Sequence, residues 1–303
     1  MDASQVTLSV IVPSYNAART IKACLTSLIN QDAKDPYEII VVDSSEDETP
    51  QIISEKFPSV RLIHLNQRTL PKAARDLGLM HAAGQFVAMI DADCVAAPDV
   101  LAQMLERHRN GNYAAVGGAL RNGTPWSITG TVGYLCEFSR QLPSAKKGLT
   151  RALVTANVCY RRDVLEVCRI SENIWPGEDA LLHWKIYKSG WPLLFDPEIQ
   201  VTHLNRTGLK AVLRHQHRLG LTQAQARKIA PDLPGSIFVK YPILGLSLPL
   251  VRLLLVSGRL ISYRDWRNFA IVCVLSPMFM AYAIIWAWGF VREVINEQSL
   301  RLS

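Results

Sequence analysis

The sequence predicts an α/β fold with a doubly wound, mainly parallel sheet, followed by helices that associate with a membrane. Up to about residue 200, short runs rich in β-branched side chains alternate with segments of helical periodicity. Polar or acidic residues follow several of these runs directly. After residue 236 the chain becomes strongly apolar, which is unusual for the end of a soluble α/β domain.

The first strand and helix units have the clearest pattern. In the first helix, Ile21, Leu25 and Leu28 recur at helical spacing, and Gly84 follows the third helix as a terminator. We predict strands at 8–13, 38–42, 60–64 and 86–90, and helices at 18–30, 50–56 and 70–83. Right-handed crossovers bring the carboxyl ends of such strands to one edge of the sheet, where open α/β folds bind ligands.

Two carboxylates stand at that edge. Asp91 and Asp93, separated by Ala92, follow the buried run 86–90. Hard oxygen ligands suit Mg²⁺ or Mn²⁺, ions that usually hold a phosphorylated substrate in such sites. The spacing alone also occurs in ordinary turns and helix caps, so its meaning depends on the rest of the chain.

The pattern is looser after residue 113. We predict strands at 114–120, 155–160 and 199–203, and a helix at 180–188. The long segment 121–151 contains Trp126, Tyr134 and Phe138. Because long loops inside compact domains tend to be functional or to contain a helix, we expect this segment to face the substrate.

Composition limits the class of protein. Hydrophobic residues make up 49% of the 303 residues, charged residues 19%, and the mean hydropathy is +0.10. The six cysteines form no Cys-x-x-Cys pair, which argues against a zinc site or a disulfide scaffold and indicates a reducing compartment. The first residues show no basic region or apolar core of a signal peptide, so we expect the amino-terminal part to stay in the cytosol.

The net charge of +7 is unevenly distributed. Between residues 205 and 230 there are six Lys or Arg residues, two His and no acidic residue. This is typical of a solvated helix face or of a segment that is attracted to anionic lipid next to a membrane. No nucleic-acid-binding motif accompanies the charge, so we expect no nucleic acid partner.

The apolar end divides into two runs. Residues 237–256 are interrupted by Lys240, Pro242, Pro249 and Arg252, and this run is predicted to be interfacial or transmembrane. Residues 269–291 contain 23 residues without a charge and are predicted to form a transmembrane helix. We therefore predict a catalytic domain at 1–230 and a membrane-associated region at 231–303.

Five segments in order give the sequence a family resemblance. They are Val10–Asn16 (VIVPSYN), 41–45 (VVDSS), 71–78 (PKAARDLG), 91–93 (DAD) and 175–180 (WPGEDA). Together they resemble the family 2 glycosyltransferases, which have the GT-A fold, over roughly residues 7–220. Each segment is weak by itself, and their common order makes chance a poor explanation.

The resemblance implies a binding site for a nucleotide-diphospho-sugar donor, with a UDP-sugar as the expected donor. The loop Pro13, Ser14, Tyr15 and Asn16 would hold the nucleotide together with Asp43. Two other roles stay open at this point: Asp43 as a helix N-cap, and Tyr15 as an ordinary core aromatic.

Basic residues would bind the diphosphate of that donor. Lys72 and Arg75 lie three positions apart, on one face of a helix, and Arg offers a planar fork to phosphate oxygens. The family commonly has Asn where this chain has Asp76. Gln216 to Arg218 incompletely matches the Gln-x-x-Arg-Trp element of processive synthases, so Arg218 is a further candidate, and transfer of a single sugar is expected.

The metal site implied by the resemblance uses the acidic pair. Asp93 would ligate Mg²⁺ or Mn²⁺, and Asp91 would reach the ribose or the metal-bound water. Asp91 and Ala92 would also belong to the nucleotide-sugar site. His203 would be a further metal ligand, since neutral imidazole suits Mn²⁺, although a lone His is more often structural.

The Glu-Asp element would supply catalysis. Asp179 is the candidate general base, and the adjacent Glu178 would raise the pKa of one member of the pair through like-charge proximity. The same acids also suit the first turn of a helix, and both roles are compatible.

These expectations define an inverting, metal-dependent glycosyltransferase. It would move a sugar to a hydroxyl of a lipid-linked or glycan acceptor at a membrane, with its catalytic domain on the cytoplasmic side, in cell-envelope polysaccharide or glycolipid synthesis. One alternative is a nucleotidyltransferase of similar fold, although the chain lacks a glycine-rich loop after strand one. The other is a protein that binds sugar nucleotides without catalysis.

Overall fold

The computed structural model describes residues 6–170 and 176–301, with side chains described through residue 296. It confirms the α/β fold class. The predicted Trp175 of the Glu-Asp element lies outside the described residues.

The strands agree closely with the hydrophobic runs. Their bounds are β1 Leu8–Ser14, β2 Tyr37–Asp43, β3 Arg61–His64, β4 Phe86–Ile90, β5 Cys94–Ala96, β6 Ala115–Asn122, β7 Gly148–Thr150, β8 Asn157–Arg161 and β9 Leu193–His203. The predicted strand at 199–203 is therefore the end of a longer strand, because the run before it is also buried.

The helices follow the predicted order. Their bounds are α1 Ile21–Ile29, α2 Thr49–Lys56, α3 Pro71–His81, α4 Val100–Asn110, α5 Ile128–Phe138, α6 Arg162–Cys168, α7 Glu178–Lys188, α8 Leu209–Ile229, α9 Ile237–Lys240, α10 Leu248–Ser262, α11 Trp266–Val274 and α12 Ser276–Arg301. A 3-10 helix covers Pro242–Ser247. Proline at the start of α2 and α3 is compatible with helix formation because the first turn needs no N–H at that position.

The strands form one mixed sheet in the order β3-β2-β1-β4-β8-β6-β9-β5, with β7 paired to β9. The pairs from β3 to β4 are parallel, as the alternation of strands and helices predicts. The pairs β4 to β8, β6 to β8 and β5 to β9 are antiparallel. The parallel half brings Ser14, Asp43 and His64 to the same edge, because they are aligned at the ends of their strands.

The chain separates into two compact units. The first is built from Met1–Arg121, Lys146–Asn173 and Leu182–Leu204, and the second from Asn122–Ala145, Ile174–Leu181 and Asn205–Ser303, as far as these ranges are described. The first unit contains nearly all of the sheet. The second contains α5 and the helices from α8 onward, so the predicted functional boundary at residue 230 stays a prediction.

The long segment 121–151 contains its own secondary structure. Ser127 begins α5 as its N-cap, with its side chain accepting a hydrogen bond from the Gly130 N–H, and β7 follows near the end of the segment. The Asn122 side chain connects the start of this segment to α5. Its amide donates to the Thr131 hydroxyl at 3.0 Å, and its oxygen accepts from the Thr124 N–H at 3.0 Å. The expected contact of this segment with substrate stays a prediction.

The apolar run 269–291 is not one helix, which corrects the sequence interpretation. Helix α11 ends at Val274, and α12 begins at Ser276, directly before Pro277. Proline has no N–H to donate to the carbonyl of Cys273, and its ring clashes with that carbonyl, so the helix breaks. By length and composition, residues 242–262 and 276–296 can each cross a membrane.

Candidate functional site

The ends of β1 and β2 form a tightly connected edge. Asp43 is fully buried, and its carboxylate accepts hydrogen bonds from the Ser45 N–H at 3.0 Å and from the Ser45 hydroxyl at 2.6 Å. His64 Nδ1 lies 2.9 Å from the same carboxylate. Asp43 does not cap α2, because that helix begins at Thr49 with Glu48 in the N-cap position.

The loop after β1 is joined to the loop after β2. The Asn16 N–H donates to the Ser45 hydroxyl at 2.7 Å, and Asn16 Oδ1 accepts from the Glu46 N–H at 3.0 Å. Asn16 has a φ of 50°, a left-handed conformation that asparagine tolerates better than most residues. These bonds hold the two loops in one arrangement at the sheet edge.

Two side chains of this loop are available for a ligand. Tyr15 is half-buried rather than a core residue, and the Arg68 guanidinium lies 4.5 Å from its ring centroid. The Ser14 hydroxyl is buried and has no hydrogen-bond partner among the described residues. A buried hydroxyl without a partner is costly, and a bound polar molecule would remove that cost. Pro13 is buried at the end of β1.

The two basic residues of α3 are both buried and both paired with carboxylates. Lys72 Nζ lies 2.7 Å from Asp76 Oδ2, and Arg75 Nη2 lies 2.6 Å from Asp91 Oδ1. Arg75 thus places its charge directly beside the first acid of the predicted metal motif. The family commonly has Asn at the position of Asp76. In this chain the Asp76 carboxylate forms an ion pair with the Lys72 ammonium.

A compact group of potential metal ligands lies beyond β4. Cys94 on β5 and His203 on β9 are paired in register, and Asp93 directly precedes β5. His203 Nε2 lies 3.6 Å from Asp93 Oδ1, and the Cys94 sulfur lies 3.9 Å from the same oxygen. The ligand atoms of all three residues lie within 4.8 Å of one another. The structure therefore brings together the predicted pair Asp93 and His203, whereas Asp91 is turned toward Arg75.

The chemistry of this group suits a divalent ion with oxygen and nitrogen ligands. One carboxylate and one imidazole are ligands that Mn²⁺ accepts and that leave positions open for substrate oxygens. Burial raises the pKa of the Cys94 thiol well above its usual range, and the charges of Asp93 and Asp91 raise it further. Both effects favour the protonated form of the thiol.

The Glu-Asp element is part of the second unit and begins α7. Gly177, with a φ of 103°, makes the turn before α7, and a Cβ at this position would lie 2.7 Å from Gln223 Nε2. Glu178 is buried, and the Asp179 carboxylate accepts from the Ala180 N–H at 2.9 Å. The Thr222 hydroxyl donates to the Pro176 carbonyl and fixes this turn against α8. The predicted general base therefore has a defined position at a helix start.

Arg218 lies on α8 with an exposed side chain. Its proposed contact with the donor diphosphate stays a prediction.

His183, which has no functional signal in the sequence, is a structural residue. It is fully buried, the Tyr160 hydroxyl lies 2.7 Å from its Nε2, and burial lowers its pKa to about 3.

Sequence reasoning missed four neighbours of the site residues. These are His64 beside Asp43, Arg68 over Tyr15, Asp76 on Lys72, and Cys94 next to Asp93 and His203. Only the Lys72 and Asp76 pair had a sequence signal, since residues four apart meet on a helix. The other three contacts depend on strand register and loop packing.

The chain matches the model of a known family. The description of that model is "Glycosyl transferase family 2", and it matches residues 9–167, just over half of the chain. Glycosyltransferase AglE of Haloferax volcanii is 28% identical over 72% of this chain and 73% of its own length. Succinoglycan biosynthesis protein ExoO of Rhizobium meliloti is 28% identical over 73% of this chain and 68% of its own length.

Solved structures show the same fold. Mannosyltransferase PcManGT from Pyrobaculum calidifontis, in complex with GDP-Man and Mn²⁺, has a TM-score of 0.63 and 20% identity over 96% of this chain and 88% of that chain. TarS 1–349 of S. aureus, in complex with UDP-GlcNAc, has a TM-score of 0.56 and 18% identity over 97% of this chain and 92% of that chain. From the family match, the relatives and the shared fold, we conclude that the chain belongs to glycosyl transferase family 2 and is a glycosyltransferase of the GT-A fold.

Proposed function

We propose that this glycosyltransferase moves a sugar from a nucleotide-diphospho-sugar donor to an acceptor hydroxyl with inversion, and that it depends on Mn²⁺ or Mg²⁺. The observation that carries the proposal is the grouping of Asp93 and His203. Asp93 lies between β4 and β5, His203 ends β9, and His203 Nε2 lies 3.6 Å from Asp93 Oδ1. The family match makes a nucleotidyltransferase an unsupported alternative.

The donor site in this proposal lies along the edge formed by β1, β2 and α3. The Ser14 hydroxyl, which has no partner in the described part of the chain, and the half-buried Tyr15 ring suit a nucleoside, and the Asp43 carboxylate bonds to Ser45 and lies beside His64. The two structures of similar fold hold GDP-Man and UDP-GlcNAc, so both uracil and guanine nucleotides are donors to test, with a UDP-sugar as our first choice.

The proposed reaction is a single displacement. The acceptor oxygen forms a bond to the anomeric carbon while the bond from that carbon to the diphosphate oxygen breaks. A bound divalent ion would act as a Lewis acid that neutralises charge on the leaving diphosphate. Arg75 and Lys72 would bind diphosphate oxygens, and Arg75 also orients Asp91 through their 2.6 Å contact. We keep Asp179 as the residue that takes the proton of the acceptor hydroxyl, because of its place in the Glu-Asp element.

The acceptor in our proposal is lipid-linked or part of a glycan at a membrane. Apolar helices of the second unit support membrane association. We place the catalytic domain on the cytoplasmic side because nucleotide sugars are made there. The name of ExoO places that relative in succinoglycan biosynthesis, which is consistent with a role in envelope polysaccharide or glycolipid synthesis here.

Binding of Mn²⁺ tests the metal site directly. We expect Mn²⁺, followed by electron paramagnetic resonance with UDP or GDP present, to bind the full chain and to bind the Asp93→Asn variant about a hundredfold more weakly, since a ligand is lost. Asp99→Asn is the matched control, because Asp99 is an exposed carboxylate at the start of α4. Equal Mn²⁺ binding by Asp93→Asn and the wild-type chain would refute the metal site.

Donor hydrolysis and sugar transfer test the catalytic assignment. We expect Asp179→Asn to lower turnover by about 10²-fold to 10⁴-fold, the usual contribution of a general base, while donor affinity stays the same. If Asp179→Asn keeps full turnover, another group is the base. Donor hydrolysis that Mn²⁺ stimulates would exclude the alternative of a protein that binds sugar nucleotides without catalysis.

A further inference from the structure

The carboxyl-terminal part of the second unit exposes large apolar side chains. Along the 3-10 helix and α10, the exposed residues Ile243, Leu246, Leu250 and Leu254 are spaced three and four apart, so they share one face. Leu246 is 77% exposed and Leu254 is 61% exposed. On α11, Trp266 and Val274 are exposed to a similar degree. We call these six residues the apolar face.

The opposite side of α10 contains its charges. Arg252 Nη2 donates to the Cys136 carbonyl at 3.0 Å, and Arg259 Nη1 donates to the Ser139 hydroxyl at 2.9 Å. Both acceptors lie at the carboxyl end of α5, where the helix dipole favours a positive charge. Helix α10 is therefore amphipathic in an unusual sense, since its two arginines bond to α5 on the side of the buried Leu248 and Leu260, while Leu250 and Leu254 are exposed.

Helix α12 is held along a highly charged helix. The Lys228 ammonium on α8 donates to the Glu293 carbonyl at 2.7 Å, and the His217 ring lies 5.0 Å from the Trp288 ring. Backbone approaches closely at Gly220, where a Cβ would lie 2.8 Å from the Trp286 carbonyl carbon. Because α8 carries most of the basic block 205–230, it cannot lie in hydrocarbon, and a helix packed along it cannot be surrounded by lipid.

The residues next to the apolar face in the sequence are basic and aromatic. Lys240, Arg264 and Arg267 are exposed, and between residues 237 and 292 Asp265 is the single acidic residue. Asp265 is used internally, because its carboxylate accepts from the Asn268 N–H at 3.2 Å and from the Ser144 hydroxyl at 2.6 Å. Tyr241 is exposed next to Lys240, as aromatic residues are at membrane surfaces. Basic groups around an apolar surface complement anionic lipid headgroups.

We propose that the second unit binds an anionic lipid bilayer in the plane of its surface through the apolar face, and that neither of its long apolar helices crosses the bilayer. The 3-10 helix with α10 is long enough to cross, but crossing would place Arg252 and Arg259 in hydrocarbon. The run after it is broken at Leu275, and its second part is packed on α8. Interfacial binding leaves the arginines bonded to the protein and places the exposed Leu246, Leu250 and Leu254 in lipid.

Vesicle flotation tests the surface. The full chain is mixed with phosphatidylcholine vesicles that contain about one third phosphatidylglycerol, and we expect it to float with them and to bind pure phosphatidylcholine more weakly. Leu254→Glu is expected to weaken binding about tenfold, since it replaces an apolar contact with a charge. Val167→Glu, at an exposed apolar position on α6 in the first unit, is the matched control. The proposal fails if both variants bind like the wild-type chain, or if the wild-type chain forms a dimer and does not float.

Site-specific labelling distinguishes in-plane binding from crossing. In membranes from cells that express the chain, an impermeant maleimide is offered to single cysteines introduced by Ser262→Cys, Asn296→Cys and Met80→Cys. The background is Cys273→Ser, because Cys273 is exposed and the other five cysteines are buried. We expect all three positions to be labelled from the same side of the membrane. Labelling of position 262 or 296 from the side opposite to position 80 would show that a helix crosses and would overturn the proposal.

Discussion

Replacing Gly220 with alanine would place a methyl group where α8 touches α12. The added Cβ would lie 2.8 Å from the Trp286 carbonyl carbon and 3.0 Å from the Phe290 nitrogen, and closer still to the Trp286 carbonyl oxygen. These are backbone atoms of a helix, so they cannot rotate away as a side chain can. The Gly220→Ala variant must therefore separate the two helices.

The expected loss follows from two opposing effects. Overpacking of a buried contact costs up to about 3 kcal/mol, and this contact belongs at the upper end because backbone blocks it. Alanine gains about 1 kcal/mol of helix propensity over glycine. The net expectation is a loss of about 2 kcal/mol in the free energy of unfolding. Gly258→Ala is the matched control on α10, because a Cβ there meets nothing within 4 Å, and we expect a gain of about 1 kcal/mol.

Urea unfolding followed by tryptophan fluorescence measures both variants, since Trp286 and Trp288 lie on α12 next to the contact. We expect the midpoints of the two variants to move in opposite directions. If Gly220→Ala is as stable as Gly258→Ala, α8 and α12 do not touch at this position. In that case α8 would not hold α12 away from lipid.

Two further predictions concern the first unit. Asp76→Asn removes the carboxylate that pairs with Lys72 at 2.7 Å, so we expect donor affinity to rise about twofold, the size of one helical ion pair. Unchanged or weaker donor binding by Asp76→Asn would show that Lys72 does not bind the diphosphate. Burial lowers the pKa of His108 to about 4 and that of His183 to about 3, below the value of 6.5 expected in the unfolded chain. The contribution of each buried neutral histidine to the free energy of unfolding is therefore fully present above pH ~6.5. It falls by about 1.4 kcal/mol per pH unit as the pH drops toward the lowered pKa of that histidine. Urea unfolding between pH ~4 and ~6.5 should show that the free energy of unfolding changes less with pH in His108→Gln than in the wild-type chain. An equal pH dependence would show that the buried His108 is not a cause of it.

Local sequence pattern was sufficient for most of the first unit. The run Phe86–Ile90 and its position before Asp91 were predicted to the residue, because a buried strand requires a continuous apolar segment. The order of the five family segments was sufficient to indicate the family, which the match over residues 9–167 confirms. Pattern failed at residues 269–291, where hydropathy predicted one helix and Pro277 broke it.

The amino-acid sequence by itself determined the strand and helix order, the acidic pair at the sheet edge and the family, since all three depend on neighbouring residues along the chain. The tertiary structure decided which of those acids meets His203, because Asp93 and His203 are more than a hundred residues apart and only the pairing of β5 with β9 brings them together. It also decided which faces of α10 and α12 are covered. An apolar helix has the same composition whether lipid or protein surrounds it, and only packing distinguishes the two.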